Sequence, residues 1–235
     1  MQGLAKNVLV IRSTGFRTFV DPKGDLHHVT RNCRMAKIML LNPFSEAARA
    51  RAQSIPDPHV TPETFQEQIK KSIAFLKDLK AVKKEVKLKL YQETPLLKLT
   101  ILDDYICIQH YQAGQDIQRM PEYVFKYDQY LSSLYIPFYR YFMTRWNDPN
   151  VPEYDLDADM LIYRDITGNE IKSERYDRQA EIASINARDH LALKHGHGYP
   201  FDRVIYPLRQ NRRSFTCMEE RFKNVWQIGS EIQIC

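Results

Sequence analysis

Residues 36–55 have the sequence AKIMLLNPFSEAARARAQSI, in which a mostly apolar run is followed directly by a helix pattern. The run from Ala36 to Leu41 stops at Asn42 and Pro43, and a short apolar run bounded by turn residues is typical of a buried strand. Ser45 then supplies the side-chain oxygen that the N-cap of a helix prefers. This strand-to-helix succession predicts an α/β protein.

Similar patterns lie on both sides of this stretch. A β-branched run over Val8–Ser13 predicts a first strand, and a short helix is expected over Leu26–Met35. Downstream, Thr61 as N-cap and Pro62 at the first helical position predict the start of a longer helix that continues to Lys80. The apolar positions of this helix recur at spacings of three and four and are Phe65, Ile69, Ile73, Leu76 and Leu79.

Three more strands are predicted after this helix. Val86–Tyr91 alternates apolar and polar residues with a period of two, which is typical of a half-buried strand. Leu97–Leu102 and Tyr105–Tyr111 are β-like runs joined by Asp103 and Asp104, which predict a tight hairpin. The simplest architecture that accommodates these elements is a sheet of about five strands with helices on its faces.

The character of the sequence changes near residue 149. A helix is expected from Pro137 to Trp146, and acidic and turn residues follow it. Beyond them the sequence predicts a strand over Met160–Arg164 and a polar helix over Glu170–Ala192. We therefore expect one domain over residues 1–149 and a C-terminal extension, or a small α+β domain, over residues 150–235.

The composition is that of an ordinary globular protein, with 43% hydrophobic and 27% charged residues. The sequence contains no apolar run of about 18 residues and no secretory signal pattern, so we expect a cytoplasmic protein without a membrane span. The four cysteines lack CxxC spacing and are expected to be free thiols. His27-His28 and the pair His195 and His197 could indicate a metal site, but the second pair lacks a cysteine or carboxylate partner at ligand spacing. Neither a metal nor a cofactor is predicted.

The run LLKLTILD, residues 96–103, places Lys98 and Asp103 five residues apart. This run resembles the signature of the phospholipase D superfamily, which has a histidine and a lysine two apart and an aspartate five residues beyond the lysine. Leu96 stands where the histidine is expected. The order of elements over roughly residues 5–148 also resembles that superfamily, and residues 39–55 resemble uncharacterised bacterial members that lack the full motif.

The resemblance implies one half of a phospholipase D-like fold, a mixed sheet with helices on both faces. It also implies that Lys98 binds phosphate and that Asp103 helps to position it. A leucine cannot attack phosphorus, and His110 and Tyr111 occupy the positions of the usual Gly-Ser pair. The resemblance therefore implies a catalytically degenerate module that binds a phosphate-bearing ligand or a partner protein in a bacterial regulatory or defence role. If the chain forms a homodimer, as single-motif members do, the two copies of Lys98 approach each other.

An alternative hypothesis is a divergent phosphodiesterase or nuclease. His110 lies on the neighbouring predicted strand and could replace the missing nucleophile, with Lys98 binding the phosphate. This hypothesis requires that both side chains point into one pocket.

A third hypothesis is nucleic-acid binding, because the net charge is +5 and two stretches are strongly basic. The first comprises Lys70, Lys71, Lys77, Lys80, Lys83, Lys84, Lys87 and Lys89. The second is the tract Arg203–Arg213. In it, Arg209, Arg212 and Arg213 are candidate phosphate ligands, because one guanidinium group can donate two parallel hydrogen bonds to two oxygens of a phosphate. The hypothesis requires both stretches on one continuous face. The alternative for each stretch is a solvated surface without a ligand.

Overall fold

The computed structural model describes residues 6–24, 26–82, 85–130 and 133–176. All of these residues belong to one compact unit. Its strands are β1 (Asn7–Ile11), β2 (Met35–Leu41), β3 (Glu85–Tyr91), β4 (Leu97–Leu102), β5 (Tyr105–His110), β6 (Tyr123–Lys126), β7 (Glu153–Asp155), β8 (Met160–Arg164) and β9 (Glu170–Arg175). Its α-helices are α1 (His27–Asn32), α2 (Glu46–Gln53), α3 (Pro62–Ala81) and α4 (Tyr135–Trp146). A turn of π-helix, Phe16–Val20, follows β1, and a 3₁₀ turn, Ile117–Arg119, follows β5.

The strands form one mixed sheet in the order β6-β5-β4-β1-β2-β3-β7-β8-β9. β1, β2 and β3 run parallel to one another, and the remaining neighbours are antiparallel. The predicted α/β class is confirmed. The expected number of about five strands is too low, because the described residues contribute nine.

Helices cover both faces of the sheet. Lys89 of β3 lies over the ring of Trp146 in α4, whereas Leu88 is paired with Tyr154, over whose ring Lys77 of α3 lies. Successive residues of a strand point to opposite faces and paired residues to the same face. The helices α3 and α4 therefore lie on opposite faces.

The predicted long helix is present as α3, and its N-terminus is built as the sequence indicates. Thr61 Oγ1 accepts a hydrogen bond from the N–H of Thr64, whose hydroxyl in turn accepts one from the N–H of Thr61. Pro62 occupies the first turn. The five predicted apolar residues of this helix are all buried, so the 3.6-residue period identified its core face correctly.

Two predictions about the second half of the chain need correction. Residues 170–175 form β9, not the start of a helix, because the edge of β8 offers them a hydrogen-bonding partner; residues 177–192 of that prediction lie outside the described residues. α4 begins at Tyr135, two residues before Pro137, since proline is tolerated in the first turn. The predicted strand over Met160–Arg164 is confirmed as β8.

The division near residue 149 stays a prediction, because most of the expected extension lies outside the described residues. β7, β8 and β9 lie beyond that division and extend the sheet from β3. Within the described ranges no helix is both long and apolar enough to span a membrane.

Candidate ligand-binding site

A cavity of about 430 Å³ lies beyond the carboxyl end of β1. β1 has parallel β2 on one side and antiparallel β4 on the other. The chain order reverses at this position, since β2 and β3 continue in one direction and β4 returns to the other side of β1. In open α/β sheets, ligands bind outside the carboxyl ends of the strands at such a reversal.

The wall of this cavity carries charges of both signs. Its basic side chains are Arg12, Arg17, Lys23, Arg51 and Lys98, and its acidic side chains are Asp21, Asp57, Asp116 and Glu122. They come from the loop after β1, from α2 and the segment after it, from β4, and from the segment after β5. The volume falls within the range of about 300–1,000 Å³ that is usual for small-molecule sites.

Arg12 connects the loop after β1 to β4. Its Nε donates to Thr18 Oγ1 at 3.1 Å, its Nη1 to the carbonyl oxygen of Leu99 at 2.9 Å, and its Nη2 to Thr100 Oγ1. The side chain is buried. Because these acceptors fix the guanidinium from several sides, Arg12 positions the cavity wall.

Two tyrosines hold the backbone of the same loop. Tyr91 Oη donates to the carbonyl oxygen of Arg12 at 2.9 Å, and Tyr111 Oη accepts from the N–H of Ser13 at 3.1 Å. Burial raises the pKa of Tyr91 well above its ordinary value, so this phenol remains a hydrogen-bond donor at neutral pH. The loop is therefore held in place before any ligand binds.

Lys98, the predicted phosphate-binding residue, is in the cavity wall. Its Nζ donates to Gln109 Oε1 at 2.7 Å and lies 4.0 Å from Glu122 Oε1. Gln109 is itself fixed, because its Nε2 donates to the carbonyl oxygens of Ile117 and Met120. The Lys98 side chain is 17% exposed, so its charge is partly shielded from water and remains accessible from the cavity.

Arg51 is a cavity residue that the sequence interpretation missed. It lies on α2, is 6% exposed, and its guanidinium lies 4.8 Å from the centre of the Tyr111 ring. Its Nη1 donates to Ser54 Oγ at 3.1 Å and, at 3.4 Å, to the carbonyl oxygen of Gln112. Its Nε is buried without a hydrogen-bond partner.

The charge of Arg51 is not neutralised by an ion pair with any of the described residues. Burial lowers the pKa of its guanidinium, an effect that the nearby Tyr111 and Asp116 partly oppose. A sequence signal for this residue exists, because Ala48, Arg51, Ala52 and Ile55 share helical spacing. An arginine in the apolar stripe of a helix indicates a buried cation.

Asp103, predicted to act with Lys98, lies at the other end of β4, roughly 17 Å along the strand. It occupies the β4–β5 turn with a positive φ of 46°. Its carboxylate accepts hydrogen bonds from the N–H groups of Lys6 and Asn7, at 3.0 and 3.1 Å. In the structure Asp103 thus closes a turn and contacts the start of β1.

His110 is exposed and does not line the cavity. It is paired with Leu97, whereas Lys98 is paired with Gln109. Since neighbours along a strand point to opposite faces, His110 and Lys98 point away from each other. The structure does not bring them together in one pocket.

Of the six lysines of the predicted basic stretch that the structure describes, three are paired closely with other groups of the protein, and Lys70, Lys71 and Lys87 are exposed. Lys77 Nζ lies 2.5 Å from Asp159 Oδ1, and Lys80 Nζ lies 2.6 Å from Asp157 Oδ2. Lys89 Nζ donates to the carbonyl oxygen of Val151 at 3.0 Å. These lysines connect α3 and β3 to the segments around β7 and β8.

Some predicted residues lie outside the described part of the chain, namely Lys83, Lys84, Arg209, Arg212, Arg213, His195, His197, Cys217 and Cys235. In the described ranges, no set of three or more histidine, cysteine or carboxylate side chains is placed to hold a metal ion. His27 is buried, and its Nδ1 contacts the carbonyl oxygen of Phe19. Cys33 and Cys107 form no disulfide within the described residues.

The sequence matches no family model and no curated protein. A solved structure with some likeness is that of TrmBL2, described as an archaeal chromatin protein with a novel mode of DNA binding. The two chains are 15% identical with a TM-score of 0.34, and the match covers 61% of this chain and 45% of the TrmBL2 chain. This chain thus spans less than half of that neighbour's length, and a likeness at this level carries no argument about function.

Proposed function

We propose that this chain is a catalytically degenerate, phospholipase D-like module that binds a phosphate-bearing ligand in the cavity beyond β1. Arg51 and Lys98 supply the positive charge that contacts the phosphate. The module acts by binding, in the bacterial regulatory or defence role that the sequence resemblance implies.

The observation that carries this proposal is the buried charge of Arg51. An ionised group that is removed from water without an opposite charge costs free energy, and proteins normally pair such groups. Arg51 lines a cavity and has no carboxylate within ion-pair distance in the described residues. An anionic ligand would supply the opposite charge that Arg51 lacks. A guanidinium group forms charge-assisted hydrogen bonds with phosphate oxygens.

The positions of His110 and Leu96 support binding without hydrolysis. Phosphodiester cleavage by the route of the superfamily needs a nucleophilic imidazole beside the phosphate-binding lysine. Leu96 stands at that position and is 62% exposed, and His110 points to the other face of the sheet from Lys98. Neither residue can supply the nucleophile to a phosphate held by Lys98.

Within the described residues the nucleic-acid alternative retains the exposed Lys70, Lys71 and Lys87, but other lysines of the same stretch are engaged by the protein. Lys77, Lys80 and Lys89 contact carboxylate or carbonyl oxygens of the protein, so their charges are not free to follow a phosphate backbone. The arginine tract over residues 203–213 lies outside the described residues, and its part in binding stays a prediction.

Calorimetric titration of the full chain with inorganic phosphate, ribose 5-phosphate and AMP, combined with thermal unfolding, tests the proposal. At a ligand concentration of 100 times Kd, binding to the folded state alone stabilises it by about 2.7 kcal/mol. At least one of these compounds should raise the melting temperature in a concentration-dependent manner.

Matched variants locate the binding site. Arg51→Met and Lys98→Met should weaken binding at least tenfold, because each removes a charge-assisted contact of about 1.5–3 kcal/mol. Arg49→Met, on the exposed side of the same helix, and Lys87→Met, on an exposed position of β3, should leave binding unchanged. Binding of no phosphorylated compound, or equal losses in the controls, would contradict the proposal.

A further inference from the structure

The cavity carries four carboxylates in addition to its cations, a charge pattern that phosphate binding alone does not explain. These groups are Asp21, Asp57, Asp116 and Glu122. Negative charge in the wall repels a phosphate. Glu122 and Asp116 interact with Lys98 and Arg51, but Asp21 and Asp57 form no ion pair within the described residues. The carboxylates therefore indicate a second recognition task.

Three of these carboxylates are arranged in the same way. Asp21, Asp57 and Asp116 each accept, through Oδ1, a hydrogen bond from the backbone N–H two residues later, at 2.9, 2.9 and 3.1 Å. Their Oδ2 atoms accept no hydrogen bond from the described residues. Each carboxylate is thus held in place with one oxygen available as an acceptor, and each is half-buried.

A cation is not the group that these oxygens suit. Metal ions need three or more ligands directed to one point, and in the part of the chain that the structure describes no such set is formed. The carboxylates are instead distributed over the segments after β1, α2 and β5. Separated acceptors suit a ligand that carries several separate hydroxyl donors.

Arg51 is a buried charged residue of the same wall that lacks a full set of partners, since it is 6% exposed and its Nε has no hydrogen-bond partner. Asp116 is near enough to interact electrostatically with Arg51, although no ion pair forms. Gln68 of α3, which also lines the cavity, is half-buried, and its side-chain amide makes no hydrogen bond within the described residues. Anion, hydroxyl and amide contacts are thus available in one cavity.

We propose that the ligand is a phosphorylated polyol of the sugar-phosphate class. Its phosphate contacts Arg51 and Lys98, and its hydroxyl groups donate to the free Oδ2 atoms of Asp57 and Asp116. This inference rests on the proposed function and adds the identity of the group that carries the phosphate.

The charge balance of the same wall disfavours strongly anionic ligands. Five cationic and four anionic side chains nearly balance, whereas a nucleic-acid strand or a polyphosphate requires an excess of positive charge. A nucleobase is commonly bound by stacking on an aromatic ring. Tyr111 of the wall already has the guanidinium of Arg51 over its ring. Phe16 of the same wall is half-buried, so AMP is included in the titration as the competing ligand.

Calorimetric titration of the full chain with matched ligands tests this inference. The ligands are glycerol 3-phosphate, ribose 5-phosphate, glucose 6-phosphate, free glycerol, ribose and glucose, inorganic phosphate, and AMP. At least one of the three phosphorylated polyols should bind about tenfold or more tightly than inorganic phosphate, its own unphosphorylated sugar or AMP.

Two aspartate substitutions should separate the contacts made to the hydroxyl groups from the contacts made to the phosphate. Asp57→Asn and Asp116→Asn keep Oδ1 as a turn acceptor but remove the charge, so the fold is preserved. Each should weaken binding of the phosphorylated polyol about fivefold or more and leave inorganic phosphate binding unchanged or tighter. Arg51→Met should weaken binding of both.

The outcomes separate this inference from the proposed function. If inorganic phosphate and AMP bind as tightly as every phosphorylated polyol, the polyol inference is overturned and the phosphate site stands. If no phosphorylated compound binds, both are overturned. If the preference exists but survives both aspartate substitutions, the assignment of the hydroxyl contacts is wrong.

Discussion

Arg51 illustrates at the scale of one residue how a binding site can cost stability. Its guanidinium is buried with no ion pair in the described residues, and burial lowers its pKa. A base whose pKa is lowered by folding destabilises the folded state at every pH where it is charged. This cost persists at neutral pH unless a ligand supplies the opposite charge.

Replacement of Arg51 by methionine is therefore expected to leave stability unchanged or to increase it. Exchange of a buried charge for an apolar side chain of similar volume is often neutral or stabilising, and each kcal/mol raises the melting temperature by about 2–4 °C in a chain of this size. Thermal unfolding of Arg51→Met without ligand measures the effect. Arg49→Met is the control on the exposed side of α2. A loss of about 2 kcal/mol or more would mean that the contacts of Arg51 with Ser54, Gln112 and Tyr111 outweigh its burial.

Asp103, in contrast to Arg51, stabilises the fold. The sequence singled it out by its spacing from Lys98, but its role is in a turn. It adopts a positive φ and accepts two backbone hydrogen bonds from the chain just before and at the start of β1. Asp103→Ala should destabilise the fold by about 1–2 kcal/mol, since two N–H groups lose their acceptor and alanine disfavours this φ. Denaturant unfolding measures the loss, and Asp104→Ala in the same turn is the control.

Asp103→Ala also tests the prediction that Asp103 acts with Lys98 in phosphate binding. Binding of phosphate ligands to Asp103→Ala should equal that of the wild type at a temperature where both are folded. A specific loss of affinity would restore Asp103 to the site.

The candidate site was only partly predictable from the sequence at this scale. Lys98 was identified from its resemblance to a motif and does line the cavity. The opposite orientation of His110 follows from the two-residue period once the strand pairing is known. Arg51 was missed because its importance comes from Tyr111 and Gln112, about sixty residues away in sequence.

At the scale of elements, ion pairs connect α3 to the segments around β7 and β8. Lys77 contacts Asp159, which also accepts a hydrogen bond from Tyr154 Oη. Lys80 contacts Asp157 and Asp155. These pairs attach the second half of the sheet to the longest described helix.

Stability should depend on pH through two of these carboxylates. Burial raises the pKa of Asp159, but the hydrogen bonds from Lys77 and Tyr154 outweigh it, and the pKa lies below the ordinary value of 3.8. The N–H groups of Asp157 and Ala158 and the charge of Lys80 lower the pKa of Asp155 in the same direction, against a smaller effect of burial. A carboxylate with a lowered folded pKa stabilises the fold above the unfolded pKa, and this contribution is lost as pH falls through the folded value.

Unfolding free energy is therefore expected to fall as pH decreases below about 4. Asp159→Asn should show a shallower decrease than the wild type, because that group no longer titrates. Asp78→Asn, which removes an exposed carboxylate on α3, serves as the control. Identical acid profiles for the wild type and Asp159→Asn would show that this contact with α3 does not contribute.

A helix or strand was predicted correctly when the sequence pattern that specifies it lies within the element itself. α3 was predicted well because its cap, its first-turn proline and its apolar period all lie within the helix. β6 and β7 have four and three residues, too few to show a period, and were missed. β9 was assigned to a helix because its polar sequence has no clear period and its strand form depends on pairing with β8.

At the scale of the whole molecule, the cavity is a consequence of the sheet order. β1 is central, and the carboxyl end of this strand, the start of β4 and the end of β5 meet at one edge. No local pattern contains this information, because the position of β4 is set by its pairing with β1, about ninety residues away in sequence. The homodimer implied by the resemblance stays a prediction that light scattering of the full chain can measure.

Whether this chain can hydrolyse a phosphodiester depends on the positions of Leu96, Lys98 and His110. In our proposal the cavity holds a phosphate near Lys98, but Leu96 stands at the nucleophile position implied by the resemblance, and His110 faces away from Lys98. We therefore expect hydrolysis of single-stranded DNA, RNA, cyclic nucleotides and phospholipids at the background rate of a buffer control. The phosphodiesterase hypothesis predicts turnover that His110→Ala abolishes. Our proposal predicts that wild type, His110→Ala and Lys98→Met are equally inactive, while only Lys98→Met loses phosphate binding, so hydrolysis and titration of the same three proteins distinguish a degenerate binding site from a divergent catalytic one.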